Sequence, residues 1–354
     1  MLQQLMATLK AVGKPAELYQ TDDGTRLLIL PYGGRILGVF APGSEENFLW
    51  TNSALNNIDT ARSYYASDDW QNSGGDRTWL APELDFFFPK FPNIDIAGYW
   101  QPRSLDPGNY ELIRTAHGVK LTNRLNIEGF RSRKRVELEI AKSVEAAPNP
   151  LRYDAAIRSD TVEYAGHTLL TSLKILDSNP NDALLLGLWS LTQMPHRGEL
   201  FIPTYSRSEP RIYFGLVDTP PDELAMSDRL VRFKMRAAGE HKIGVRAAVT
   251  TGRIGYIYPT GDKHALIIRN FFVNPSGEYA DVPWTEPDDR GYSTQACSVN
   301  GRWGEFSEME YHVPAIGGDT GLRHIEDRSQ LWAFRGSRED IGKIARVLLS
   351  NEIQ

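Results

Sequence analysis

The sequence predicts an all-β protein, a large antiparallel β-sandwich with a short helix at each end. Three observations carry that reading. Short runs of β-branched and aromatic residues alternate with Gly, Pro, Asn and Asp along most of the chain. Amphipathic periodicity of helical length is confined to the two ends. Neither a repeat of fixed period nor a low-complexity linker divides the 354 residues, so residues 1–354 are read as a single domain.

The elements follow in order. Residues 1–14 form an N-terminal helix with Leu2, Leu5, Met6 and Leu9 on its apolar side. Strands are predicted at 25–30, 36–40, 110–115, 119–127, 130–144 and 151–161, several joined by tight turns such as Ile127-Glu128-Gly129. Alternation is clearest where Arg133, Arg135, Glu137 and Glu139 interleave with Lys134, Val136, Leu138 and Ile140, giving one polar and one largely apolar face. Further strands are predicted at 168–177, 184–193, 211–214, 230–234, 241–249, 253–259, 265–272 and 304–312, a count in the teens. Residues 319–324 read as a helical turn. Residues 338–352 read as a closing helix, with Ile341, Ile344, Val347 and Leu348 at helical spacing.

Composition narrows the function classes. With 41% hydrophobic and 24% charged residues the chain has enough apolar surface to fold, and a net charge of −6 gives no reason to expect nucleic acid or an anionic membrane as partner. No stretch approaches the roughly 20 apolar residues that span a bilayer. The lone Cys297 excludes an internal disulfide and a thiolate-cluster metal site, and the expected compartment is the cytoplasm. No sequence feature declares an interface, so the oligomeric state stays open.

Two segments carry candidate chemistry. In Phe306-Ser307-Glu308-Met309-Glu310-Tyr311-His312, a β-strand turns Glu308, Glu310 and His312 to one face. Same-face neighbours stand roughly 6.5–7 Å apart, so adjacent carboxylates repel and at least one is expected to keep its proton to an unusually high pH, as general acid–base catalysis requires. The alternative is a solvent-facing edge strand.

The second segment, Gly74-Gly75-Asp76-Arg77-Thr78-Trp79-Leu80-Ala81-Pro82-Glu83, reads as a binding loop. Sugars lay C–H faces on aromatic rings and need paired hydrogen-bonding groups, and Asp76, Arg77, Trp79 and Glu83 supply both. The bland alternative is an ion-paired turn with Trp79 in the core. A third stretch, 184–198, reads as a buried strand delivering its end to a cleft, with Trp189, Gln193, His196 and Arg197 as contacts.

Other features carry little. His117, His167, His241, His264 and His324 have no partner pattern. Glu137 and Glu139 share the spacing of Glu308 and Glu310 yet sit among basic residues on a solvated face, which shows how weak spacing alone is. No Gly-x-Ser-x-Gly elbow, phosphate loop or dinucleotide fingerprint is present.

Taken together, the stretch Tyr32 to Phe40 with Glu46-Asn47-Phe48-Leu49-Trp50, the 74–83 segment and the strand before Pro314 resemble the galactose mutarotase-like superfamily, in its aldose-1-epimerase-like branches. The resemblance implies a supersandwich over nearly the whole chain, a sugar or sugar derivative as ligand, and catalysis without a cofactor. In that superfamily a glutamate takes the proton of the anomeric hydroxyl and a histidine protonates the ring oxygen. The glutamate maps here to Glu310 or Glu308. Trp189 or Ser190 stands where the resemblance implies the histidine, and His196, His312 and Arg77 are the available substitutes. Two other readings stay open: a sugar-binding protein without turnover, and a metal-assisted lyase or hydrolase using Glu308, Glu310 and His312.

Overall fold

A computed structural model describes residues 1–154, 157, 161–177, 184–215 and 222–353. Among them are nineteen strands in two antiparallel sheets. The nine-stranded sheet runs, in spatial order, β1 (Glu17–Gln20), β2 (Arg26–Leu30), β3 (Arg35–Phe40), β4 (Asp76–Ala81), β9 (Gly187–Pro195), β18 (Gly304–His312), β17 (Tyr292–Gly301), β14 (Gly239–Arg246) and β11 (Arg211–Phe214). The ten-stranded sheet runs β12 (Leu224–Met226), β13 (Leu230–Lys234), β10 (Glu199–Pro203), β15 (Arg253–Thr260), β16 (Lys263–Asn270), β19 (His324–Gly336), β8 (Glu163–Ile175), β7 (Lys134–Ala146), β6 (Gly118–Gly129) and β5 (Glu111–Thr115).

The sheets pack face to face over a continuous core that includes Ile36, Leu80, Leu125, Leu138, Leu169, Leu188, Ile243, Ile267, Met309 and Leu331. Polar contacts cross the same interior. Arg269 of β16 pairs with Asp76 of β4, and Tyr311 of β18 donates to Asp327 of β19 at 2.6 Å.

Helices cover the outer surfaces. Helix α1 (Leu2–Ala11) buries Leu2 and Leu9 against Leu28, Leu30, Leu37 and Phe40, the outward residues of β2 and β3. Helix α2 (Ile58–Ala66), capped by the Asn57 side chain, adds Ala61 to that cluster. After the short α3 (Glu83–Phe86), helix α4 (Arg338–Leu348) starts at a Ser337 cap and lays Ile341, Ile344, Ala345 and Leu348 on Leu266, Ile268 and Phe334.

Several expectations need correction. The 74–83 segment is not a loop: Asp76–Ala81 is strand β4, buried at every position between β3 and β9. It enters through Gly74 (φ +101°) and Gly75 (φ +77°), where a Cβ would meet Trp50 O at 2.3 Å and Ile36 O at 2.4 Å. Five further strands, β1, β10, β12, β17 and β19, and helices α2 and α3 were not expected. The turn around 319 is a single 3₁₀ turn at Gly318–Thr320, and His324 opens the long strand β19. Of the strand expected at 151–161, residues 151–153 form turns, and 155, 156 and 158–160 lie outside the described residues.

Candidate functional site

Register fixes which side chains share a face. Glu308, Glu310 and His312 of β18 stand opposite Gln193, Leu191 and Trp189 of β9. Leu191 and Trp189 stand opposite Arg77 and Trp79 of β4. On the other side Glu308 faces Cys297 of β17, which faces Lys242 of β14. All of these side chains lie on the face turned away from the second sheet, because their neighbours Asp76, Met309 and Tyr311 point into the sandwich.

On that outer face lies a narrow slot whose floor holds Arg77, Lys242, Cys297, Glu308 and Glu310, joined by Glu83 from α3. Trp79 and Trp189 are its buried inner walls, and half-buried Trp70, Tyr99, Trp284 and Trp303 form the rim. The slot offers about 60 Å³ to the centres of water-sized molecules. One water needs roughly 10–15 Å³ on that measure, so the slot admits roughly four to six waters, about the bulk of one six-membered sugar ring.

The floor is a network of buried charge. Arg77 pairs with Glu308 at 2.9 Å and lies 4.1 Å from the Trp79 ring centre. Lys242 Nζ sits 3.4 Å from Glu310 Oε2, 3.5 Å from Glu83 Oε2 and 4.3 Å from the Trp189 ring centre. Trp189 Nε1 donates to Glu310 at 2.9 Å, while Glu83 accepts from Tyr99 at 2.5 Å and from Trp284 at 2.7 Å. Behind the walls, Asp106 accepts from Trp79 (3.0 Å), Trp70 (3.1 Å) and Arg35 (2.9 Å), which fixes both indoles.

Titration follows from these contacts. Burial pushes Glu310 up to about 8; Glu308 and Glu83 add to the rise, while Lys242 and the Trp189 hydrogen bond oppose it. Burial likewise raises Glu83 against the pull of Lys242. Burial alone draws Lys242 down, but the carboxylates Glu310 and Glu83 more than offset this and hold it charged. The Cys297 thiol is pushed well above its ordinary value by burial and by Glu310 and Glu308.

Of the residues singled out in the sequence, Arg77, Trp79, Glu83, Trp189, Glu308 and Glu310 line the slot together. Asp76 does not: neighbours on a strand point to opposite faces, and it lies between the sheets against Arg269 and Thr192 Oγ1 (3.0 Å). His312 shares the face of Glu310 but stacks on Trp189 at 5.5 Å, fully buried and outside the slot lining; burial, then Lys242, holds it well below its ordinary value, so it is neutral. Gln193 is wholly buried outside the lining, and His196 lies beyond it, beside Ser298 Oγ at 3.1 Å. Sequence reasoning missed Lys242, Tyr99, Trp284 and Trp303. The signal for Lys242 was a lysine amid Ile243 and Val245 on a strand; the others sit in irregular segments that carry no pattern.

A β-sandwich of two large antiparallel sheets with an acid-floored, tryptophan-walled slot defines the class. The chain belongs to the family of unknown function DUF6786, which it matches over residues 2–354. No curated protein matches it. Among solved structures it is similar to a galactose mutarotase related enzyme from Lactobacillus acidophilus, at 10% identity and a TM-score of 0.44, over 91% of this chain and 98% of that one. It is also similar to a putative aldose 1-epimerase from Klebsiella pneumoniae subsp. pneumoniae, at 9% identity and a TM-score of 0.45, over 94% of this chain and 83% of that one. Likenesses of this degree bring neither activity nor substrate to the chain. Among the described residues no helix is long and apolar enough to cross a membrane.

Proposed function

We propose that the slot holds one ring of a sugar or sugar derivative and that Glu308 and Glu310 perform acid–base chemistry at its anomeric carbon, an aldose 1-epimerase-like isomerisation. The charge count of the floor carries this reading. Four carboxyl groups, Glu83, Glu240, Glu308 and Glu310, line the slot with two cations, Arg77 and Lys242. Acids outnumber cations, and buried Glu310, pushed up to about 8, keeps a proton at neutral pH.

Hemiacetal opening needs such a pair. One group takes the proton of the anomeric hydroxyl, the other gives a proton to the ring oxygen, and the C1–O bond to that oxygen breaks. The freed aldehyde turns and the ring recloses with the two roles exchanged. The resemblance left Glu310 or Glu308 as the base, and a group that starts protonated acts first as the acid. Ring-oxygen protonation is therefore assigned to Glu310 and deprotonation of the hydroxyl to Glu308, whose pairing with Arg77 loosens as it takes the proton. The indoles receive the C–H faces of the ring.

Polarimetry and NMR of freshly dissolved α-sugars test this: the protein should speed anomerisation of at least one aldose, and Glu310→Gln should remove the acceleration while sugar still binds. Unchanged rates across an aldose panel would refute the isomerase. One observation favours the reading without turnover, namely that Arg77, Lys242, Glu83, Glu308 and Glu310 all already have protein partners. Sugar binding with no acceleration by the wild type is its signature. The metal reading is weaker. Among the described residues the trio within 4.8 Å is Cys297, Glu308 and Glu310 rather than a set with His312, and Arg77 and Lys242 already pair with those carboxyl groups.

A further inference from the structure

The slot does not end at its rim. Trp70, Tyr99, Gln101 and Trp303 also line a second space next to it, of about 590 Å³ against about 60 Å³ for the slot on the same measure. Its walls come from the C-terminal half of α2, the stretch leading into β4, the segment around Tyr99, and the tip of the β17–β18 hairpin. We infer that this outer space is a second sugar subsite, so that the ligand is a neutral disaccharide or longer glycan with its terminal ring in the slot and its next ring among Tyr64, Trp70, Asn72 and Trp303. The inference rests on the sugar reading of the slot.

Three observations support it. The first is aromatic geometry: Trp70 and Trp303 meet edge to face, with centroids 6.4 Å apart and planes at 81°, and Trp303 lies 5.8 Å from Tyr99. Rings shared by both spaces line a path along which two consecutive sugar units each find an apolar face.

The second is a pair of unused hydrogen-bonding groups. Asn72 is 2% exposed, and its Nδ2 has no partner although its Oδ1 lies 3.4 Å from Arg35 Nη1. The buried hydroxyl of Tyr64 is also without a partner. Both residues line this space, so a ligand hydroxyl that reaches Asn72 Nδ2 or the Tyr64 hydroxyl supplies the partner each lacks. The third is charge. The lining holds one cation, Arg302, and one carboxylate, Asp69. That balance suits a neutral polyol and offers no cluster of cations for phosphate.

Calorimetric titration of the full chain with glucose, galactose, maltose, cellobiose and lactose tests the inference, on wild type, Tyr64→Phe and Asn72→Ala. At least one disaccharide should bind about ten-fold or more tightly than either of its component monosaccharides. Tyr64→Phe keeps the ring that packs on Tyr65 at 5.3 Å and removes only the hydroxyl; it should weaken that disaccharide by roughly five-fold and leave monosaccharides unchanged. Monosaccharide binding with no disaccharide advantage overturns the second subsite and leaves the slot reading standing. A disaccharide advantage untouched by both substitutions overturns the placement. Failure of all five sugars to bind removes the slot reading and this inference together.

Discussion

Glu310→Gln probes the proton on the slot floor through stability, independently of any substrate. The side chain is fully buried and pushed up to about 8 from an ordinary 4.5. Between those values the folded protein holds one proton that the unfolded chain has released, so folding stability falls as pH rises; the contribution is full below the unfolded value and lost through the folded one. A single group of this kind gives a slope of up to about 1.4 kcal/mol per pH unit. Glutamine reproduces the neutral carboxyl, keeps an oxygen to accept from Trp189 Nε1, and leaves Lys242 its Glu83 partner at 3.5 Å. The variant is therefore expected to match the wild type near pH 5 and to exceed it progressively towards about pH 8, the gap widening by up to about 1.4 kcal/mol per unit. Relief at Glu83, also raised by burial, adds with the same sign. Urea unfolding of both proteins across that range measures the gap. Parallel stability–pH profiles would refute the protonated Glu310 and, with it, the assigned acid.

Other expectations follow from the same contacts. Lys242→Met strands the Glu83 carboxylate, and Glu310 wherever it ionises, without a cation and should cost roughly 3–5 kcal/mol at neutral pH, with partial recovery in acid as Glu83 protonates, readable from denaturant midpoints. Asp76→Asn leaves Arg269 unpaired between the sheets; it should destabilise by about as much while the slot of any folded fraction binds sugar with unchanged affinity, as calorimetry would show. Gly75→Ala places a methyl against Ile36 O at a positive φ and should lower thermal stability by well over ~1 kcal/mol, as scanning calorimetry would register. Asp106→Asn removes the charge that holds Arg35 and orients two indoles; altered tryptophan emission with weaker sugar binding is the expected pair of readouts.

Local patterning made much of the sandwich legible: β11, β13 and β18 fall at the expected positions because their alternation is plain. It hid β17, whose Ser293, Thr294, Gln295 and Ser298 are polar yet buried, since strands pair with it on both sides. Strand β4 was mistaken for a loop for a related reason. With both faces buried it shows no alternation, and the cations beside Asp76, Lys142 and Arg269, come from distant strands, Arg269 from 193 residues away in sequence. The slot lining was legible where chemistry is local, as in Glu308 and Glu310 on one pleat, or where composition is conspicuous, as in Arg77 with Trp79. Lys242 escaped because a lysine alternating with Ile243 and Val245 looks like the wet side of an ordinary strand; only Glu83 and Glu310, from distant segments, make its burial tolerable. His312 and Gln193 share the correct face, but facing says nothing of which neighbour covers a side chain, and in His312 it is Trp189.

The slot draws Arg77, Glu83, Trp189, Lys242, Cys297 and Glu310 from five strands and a helix scattered over most of the polypeptide. Such a hollow exists only once those long-separation pairings have all closed, so it is among the last features to mature and the first to vanish when any one of them opens. Whatever occupies it ties together segments from Arg77 to Glu310 at once, and its binding energy is therefore returned as resistance to unfolding of the nine-stranded sheet as a whole.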